Sequence, residues 1–146
     1  MKRNDRQHGF TVLEVLISIA VFGILSSISL SGYQASRQRS VLTSQVNVLS
    51  GLIRDTQRLS IAAEKGQAWK LKCSGATVSQ YLQTSAIPER MVELAEPVSC
   101  VHEGEITFSK LTGTPVTPAT FEVSMPGVGS RTITVTASGA VEETTP

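Results

Sequence analysis

The chain has 146 residues, with 13 basic and 12 acidic side chains, two cysteines and a net charge of +1. That length leaves room for one long helix and one modest folded domain. The even charge excludes a general polyanion binder, which needs many cations on one surface. Two cysteines, with His102 the sole histidine after residue 9, are too few for a zinc site.

Residues 1–9 form a short polar leader carrying Lys2, Arg3, Asp5 and Arg6, and the leader ends at Gly9. From Phe10 to Ser36 the only charge is Glu14 and there is no proline; Arg37 and Arg39 follow. A bilayer core takes about 20 mostly apolar residues, so this run reads as a membrane-spanning helix. The basic leader then stays cytoplasmic and the remainder lies outside. A secretory signal would have a shorter apolar core and a small-residue cleavage site behind it. A plain anchor would explain the length and the leader, but not Glu14. A carboxylate inside a span costs roughly 2.5–3.5 kcal/mol at its centre, and such residues are functional by default. Ser26, Ser27, Ser29, Ser31 and Gly32 occupy the far part of the run. They read as close-packing positions against other helices, or as a place where the helix melts locally.

Residues 37–65 also contain no proline. Val41, Leu42, Val46, Leu49, Leu52, Ile53, Leu59, Ala62 and Ala63 recur at helical spacing. Arg37, Arg39, Asp55, Arg58 and Glu64 remain for solvent. One helix is expected from about Thr11 to Lys65, stopped by Gly66 behind a terminal cation. Its first part would lie in lipid, and its amphipathic second part would cover a sheet.

From Gly66 the pattern changes to period two. Strands are expected at residues 68–73, 77–82, 105–109, 120–125 and 131–136, with weaker ones at 91–94 and 98–101. Pro126-Gly127 and Ser138-Gly139 read as turns, the second leading into Ala140-Val141-Glu142. Short strands with Gly/Pro turns make an antiparallel sheet that needs cover on one face. The expected fold is therefore α+β: a long N-terminal membrane-spanning helix packed on a small antiparallel head of residues 66–146.

The head carries five basic and eight acidic side chains, whereas residues 33–65 carry five basic and two acidic ones. Cys73 and Cys100 both lie in the head, outside the cytoplasm on this topology, where disulfides persist. They are a candidate disulfide, the alternative being two buried thiols. Enzyme motifs are absent: no G-x-S-x-G, no H-E-x-x-H and no phosphate-binding glycine loop. No cofactor and no metal is expected. Glu103 and Glu105 flank Gly104, but two carboxylates make a solvated turn before they make a calcium site. Glu89, Glu93 and Glu96 read as a short solvated segment between Pro88 and Pro97.

The stretch Gly9-Phe10-Thr11-Val12-Leu13-Glu14, behind a basic leader and ahead of unbroken hydrophobics, resembles the prepilin signal of type IV pilins and pseudopilins. The resemblance implies cleavage between Gly9 and Phe10 by a membrane peptidase, which also N-methylates Phe10. It implies that Glu14 meets the new amine of its own or a neighbouring subunit during assembly. It implies partners in the prepilin peptidase, the inner membrane and other pilin subunits, which are met through the N-terminal helix. The proline many relatives carry in the membrane helix is missing here. Ile106-Thr107-Phe108, Gly113, Phe121-Glu122-Val123, Arg131 to Val135 and Gly139 resemble the head of GspH/FimT-type minor pilins and pseudopilins. That implies a minor subunit of a type IV pilus or a type II secretion pseudopilus. The alternative it brings is DNA capture in competence, with Gly129-Ser130-Arg131 as a faint echo of an arginine-bearing loop. Arg131 has little basic company, so an edge-strand position for it is the plainer reading.

Overall fold

The computed structural model describes residues 10–144, and for residues 27–31 the backbone alone. The elements are α1 (Val12–Ile61), a 3-10 turn (Glu64–Gly66), β1 (Trp69–Gly75), β2 (Thr77–Leu82), β3 (Arg90–Glu93), β4 (Ser99–Phe108), β5 (Ala119–Met125), β6 (Gly129–Val135) and β7 (Val141–Thr144). The chain divides between Arg37 and Gln38 into two compact units, and α1 contributes to both.

In the first unit, every described side chain from Phe10 to Ser26 is exposed in the single chain, Phe10 at 82% and Phe22 at 73%. A helix that is apolar all round satisfies its surface only against lipid or other protein. Among the described residues, no helix is long and apolar enough to cross a membrane. The apolar run seen in the sequence continues through residues 27–31, whose side chains lie outside the described residues.

In the second unit, Leu42, Val46, Leu49, Ile53, Thr56 and Ser60 are all buried. Their spacing alternates between four and three, which lines one face of a helix. Against them lie Leu71 and Cys73 of β1, Val78 of β2, Ile106 and Phe108 of β4, Phe121 and Val123 of β5, and Ile133 and Val135 of β6. These are alternate positions on their strands, so one sheet face is dry and the other polar. The sheet is antiparallel in the order β3-β2-β1-β4-β5-β6-β7. Two meanders, β1 to β3 and β4 to β7, are joined where β4 returns beside β1.

The structure corrects the sequence reading of β4 and of the end of α1. The segments expected at 98–101 and 105–109 are one strand. Lys72 pairs with Glu105 and Ser74 with Val101, so His102, Glu103 and Gly104 stand opposite Cys73 alone. This bulge breaks the period-two pattern and hides the continuity of β4. Gly104 has φ +99°, a backbone open chiefly to glycine. His102 fills the opening, with Nδ1 2.8 Å from the Thr120 carbonyl and its ring 4.5 Å from that of Phe121. Only Ser99 to Val101 of β4 pair with β5.

Helix α1 ends at Ile61, not Lys65. The Ser60 carbonyl accepts the amides of Ala63 at 3.1 Å and Leu111 at 3.0 Å, and Ser60 Oγ accepts the Trp69 amide at 3.0 Å. Ala63 is left-handed at φ 48°. Contacts from β1 and the β4–β5 loop thus stop the helix before Gly66 can. In that loop Gly113 has φ +67°, and a Cβ on it would lie 2.6 Å from Ile61 Cγ1.

Polar contacts fix the helix along the sheet. Gln80 of β2 donates Nε2 to Thr56 Oγ1 at 2.8 Å and to the Leu52 carbonyl at 3.3 Å, while Thr56 donates to the same carbonyl at 2.7 Å. Ser50 donates to Glu143 at 2.8 Å, and Gln57 to the Gly139 carbonyl at 2.8 Å. Among the described residues, no buried side-chain nitrogen or oxygen lacks a partner.

Thr56→Val keeps the shape and removes the oxygen, leaving the fully buried Gln80 amide with its longer bond alone. Leaving a buried donor poorly satisfied costs roughly 1–3 kcal/mol. We expect the fragment 38–146 to lose about 1–2 kcal/mol in urea unfolding, at unchanged m-value. An unmoved midpoint would mean that the Leu52 carbonyl suffices for Gln80.

Candidate functional site at the start of the helix

Phe10 and Thr11 precede the first helical residue, Val12. The Glu14 amide donates to Thr11 Oγ1 at 3.2 Å, and the Val15 amide donates to the Thr11 carbonyl at 3.2 Å. Thr11 is therefore the N-cap, and Glu14 is the third helical residue. Thr11-Val12-Leu13-Glu14 has the T-x-x-E spacing of a capping box, a signal in the sequence that a reading centred on the lone carboxylate passes over. Only the threonine half of the box is made. Among the described residues, the Glu14 carboxylate has no hydrogen bond or ion pair. It sits in the first turn, where the helix macrodipole favours negative charge. Ser18 Oγ donates to the Glu14 carbonyl at 2.7 Å.

Glu14 follows Phe10 by four residues, the last three of them helical. Phe10 lies just before α1 and Glu14 in its first turn, with the Glu14 side chain exposed. Gly9 and the leader residues 1–8 lie outside the described residues.

The other candidate residues lie elsewhere. Cys73 and Cys100 are disulfide-bonded with Cα atoms 6.0 Å apart, both buried at the β1–β4 bulge. Arg131 is at the start of β6, which lies between β5 and β7 and is not an edge strand. It faces Val123 across the ladder, in the row that continues to the buried Ile133 and Val135, and is itself half-buried. This is the margin of the core and not a loop tip. In the amphipathic part of the helix Arg58 is held by Asp55 at 3.1 Å, and in the 3-10 turn Lys65 is held by Glu89 at 2.6 Å. Glu105 meets Lys70 at 2.9 Å.

Residues 4–30 match the prokaryotic N-terminal methylation motif. The N-terminus is type IV prepilin-like. The motif marks a type IV pilin-like precursor, and implies processing by a prepilin peptidase, assembly with other pilins, and a place in a membrane or a pilus. The structure agrees with a pilin fold, since the helix packs on an antiparallel sheet. No solved structure matches the chain.

Because the cap uses the backbone amide of residue 14, Glu14→Leu removes the carboxylate and spares the cap. We expect unchanged helicity in detergent micelles by circular dichroism. Membrane retention on alkaline extraction should be equal or better, since the charge is a cost to an unpaired helix in lipid. Lost helicity would assign Glu14 to the stability of the first turn.

Proposed function

We propose that this protein is a minor pilin or pseudopilin, a non-catalytic subunit of a type IV pilus or a type II secretion pseudopilus. The observation that carries the reading is the methylation motif at residues 4–30, joined to a helix that begins two residues past Gly9-Phe10. In this reading residues 10–36 lie in the inner membrane, the head is outside the cytoplasm, and the peptidase cuts after Gly9 and methylates Phe10. The Glu14 carboxylate then pairs with the amine of its own or a neighbouring Phe10. A carboxylate alone in hydrocarbon is costly and a paired one far less so, which favours assembly in one axial register. The resemblance of Ile106-Thr107-Phe108, Gly113, Phe121-Glu122-Val123, Arg131 to Val135 and Gly139 to the head of GspH/FimT-type proteins favours a minor subunit.

Capture of DNA is the weaker reading. Arg131 sits beside a core face, and the head carries five basic against eight acidic side chains.

Intact mass of the membrane-extracted protein tests processing: the expected species begins at Phe10 and carries one added methyl group. Gly9→Ala should leave the precursor whole, and Glu14→Leu should be processed yet poorly incorporated into filaments. An uncleaved wild-type chain beside its own peptidase would end this reading.

Residues 37–146 should show no binding to double-stranded DNA at physiological salt in a fluorescence titration, because few counterions would be released. Binding that survives such salt and disappears in Arg131→Ala would make DNA capture the primary role.

A further inference from the structure

We infer that Thr11 is a positioning residue for leader removal, acting by ending the helix so that the Gly9–Phe10 peptide stays available to the peptidase. The inference rests on the processing reading above. In that hydrolysis, water adds across the bond, leaving a carboxylate on Gly9 and an ammonium on Phe10. A residue inside a helix has its amide and carbonyl engaged in the i→i−4 ladder, and a peptidase cleft needs both presented by an extended chain. The boundary of the helix therefore decides whether this peptide can be cut.

Little else in the sequence sets that boundary. No proline lies anywhere from Lys2 to Val12, and Phe10 is as apolar as the residues after it. Gly9 discourages a helix by conformational entropy without forbidding one. The feature that defines the start is the bond from the Glu14 amide to Thr11 Oγ1 at 3.2 Å. An N-cap residue adopts non-helical dihedrals in order to turn its side chain back onto the first turn. Thr11 and Phe10 are both non-helical here. The same bond supplies the residue 14 amide with its acceptor, so the Glu14 carboxylate does not have to fold back to help cap the helix. One hydroxyl thus serves both the scissile peptide upstream and the carboxylate downstream, which has no partner among the described residues.

Valine matches threonine in shape but cannot cap, whereas serine and asparagine cap as well or better with different shapes. A cap of ordinary strength corresponds to about a fivefold change in the position of the helix boundary. A smaller competent fraction of substrate raises apparent KM and leaves kcat alone. The experiment uses full-length precursor in detergent with its prepilin peptidase, and measures initial rates of leader release over a range of precursor concentrations. Amide hydrogen exchange at Glu14 is followed in parallel. Thr11→Val should raise KM two- to fivefold at constant kcat and lose protection at the Glu14 amide. Thr11→Asn and Thr11→Ser should keep both near wild type. If Thr11→Val is processed like wild type, or Thr11→Asn is as slow as Thr11→Val, the inference fails while the processing reading stands. If the wild-type precursor is never cut after Gly9, the processing reading fails and this inference with it.

Discussion

The fold of the second unit depends on burying one face of α1, from Leu42 to Ser60, against one face of a seven-stranded sheet. Neither surface is stable alone. A single antiparallel sheet with Leu71, Phe108, Phe121, Ile133 and Val135 on one side would expose that whole side to water. Burying such side chains stabilises by about 1.5–3 kcal/mol each relative to exposure. Apolar burial has no preferred position along the helix, however, and a slide by one turn would keep most of it. The polar contacts of Ser50 with Glu143, Thr56 with Gln80, Gln57 with Gly139 and Ser60 with Trp69 remove that freedom, because each needs its partner at bonding distance. Dispersion and hydrophobicity thus hold the helix down, while hydrogen bonds say where along the sheet it sits.

The bulge in β4 serves the same end. A strand of ten residues paired with β1 on both sides of the bulge, and with β5 at one end alone, has to bend between those two duties. The extra residues His102 to Gly104 supply the bend, and the disulfide from Cys73 to Cys100 ties β1 to β4 at that point. Closing a loop of this length stabilises a small domain by roughly 3 kcal/mol in the chain-entropy model. For a head of this size, that is a sizeable part of the whole stability.

Much of this was legible in the sequence, for identifiable reasons. The period-two runs at Trp69 to Cys73, Phe121 to Met125 and Ile133 to Val135 are unambiguous, because each side of the strand meets a different solvent. The helical seam is legible for the same reason. The continuity of β4 was hidden because a bulge cancels the alternation that reveals a strand. The early end of α1 at Ile61 was hidden because Ala62-Ala63-Glu64-Lys65 has excellent helix propensity, and tertiary contacts to Ser60 override it. Arg131 reads as an edge position because β7 is short and polar: the Ser138-Gly139 turn points to a segment after it, but Val141-Glu142-Glu143-Thr144 lacks the alternation that would show it pairing with β6. At the candidate site, Glu14 stood out by its cost. Thr11 did not, because the T-x-x-E spacing that marks it as a cap is overshadowed by the cost of the same glutamate in an apolar run.

That contrast bears on what a carboxylate at residue 14 can do. If Glu14 were needed to finish the cap, its charge would be spent on its own helix, and a neighbouring amine would have to compete for it. With Thr11 as the acceptor, the carboxylate keeps its lone pairs while the first turn remains satisfied. An unpaired charge of this kind is tolerable at an aqueous edge and costly in lipid. The free energy recovered when a cation arrives is therefore largest where the surroundings are driest. The favoured partner is one that enters lipid already carrying its positive charge. On the processing proposed above, the amine at residue 10 would be such a group: it would be created at the membrane edge and carried on an apolar segment of its own.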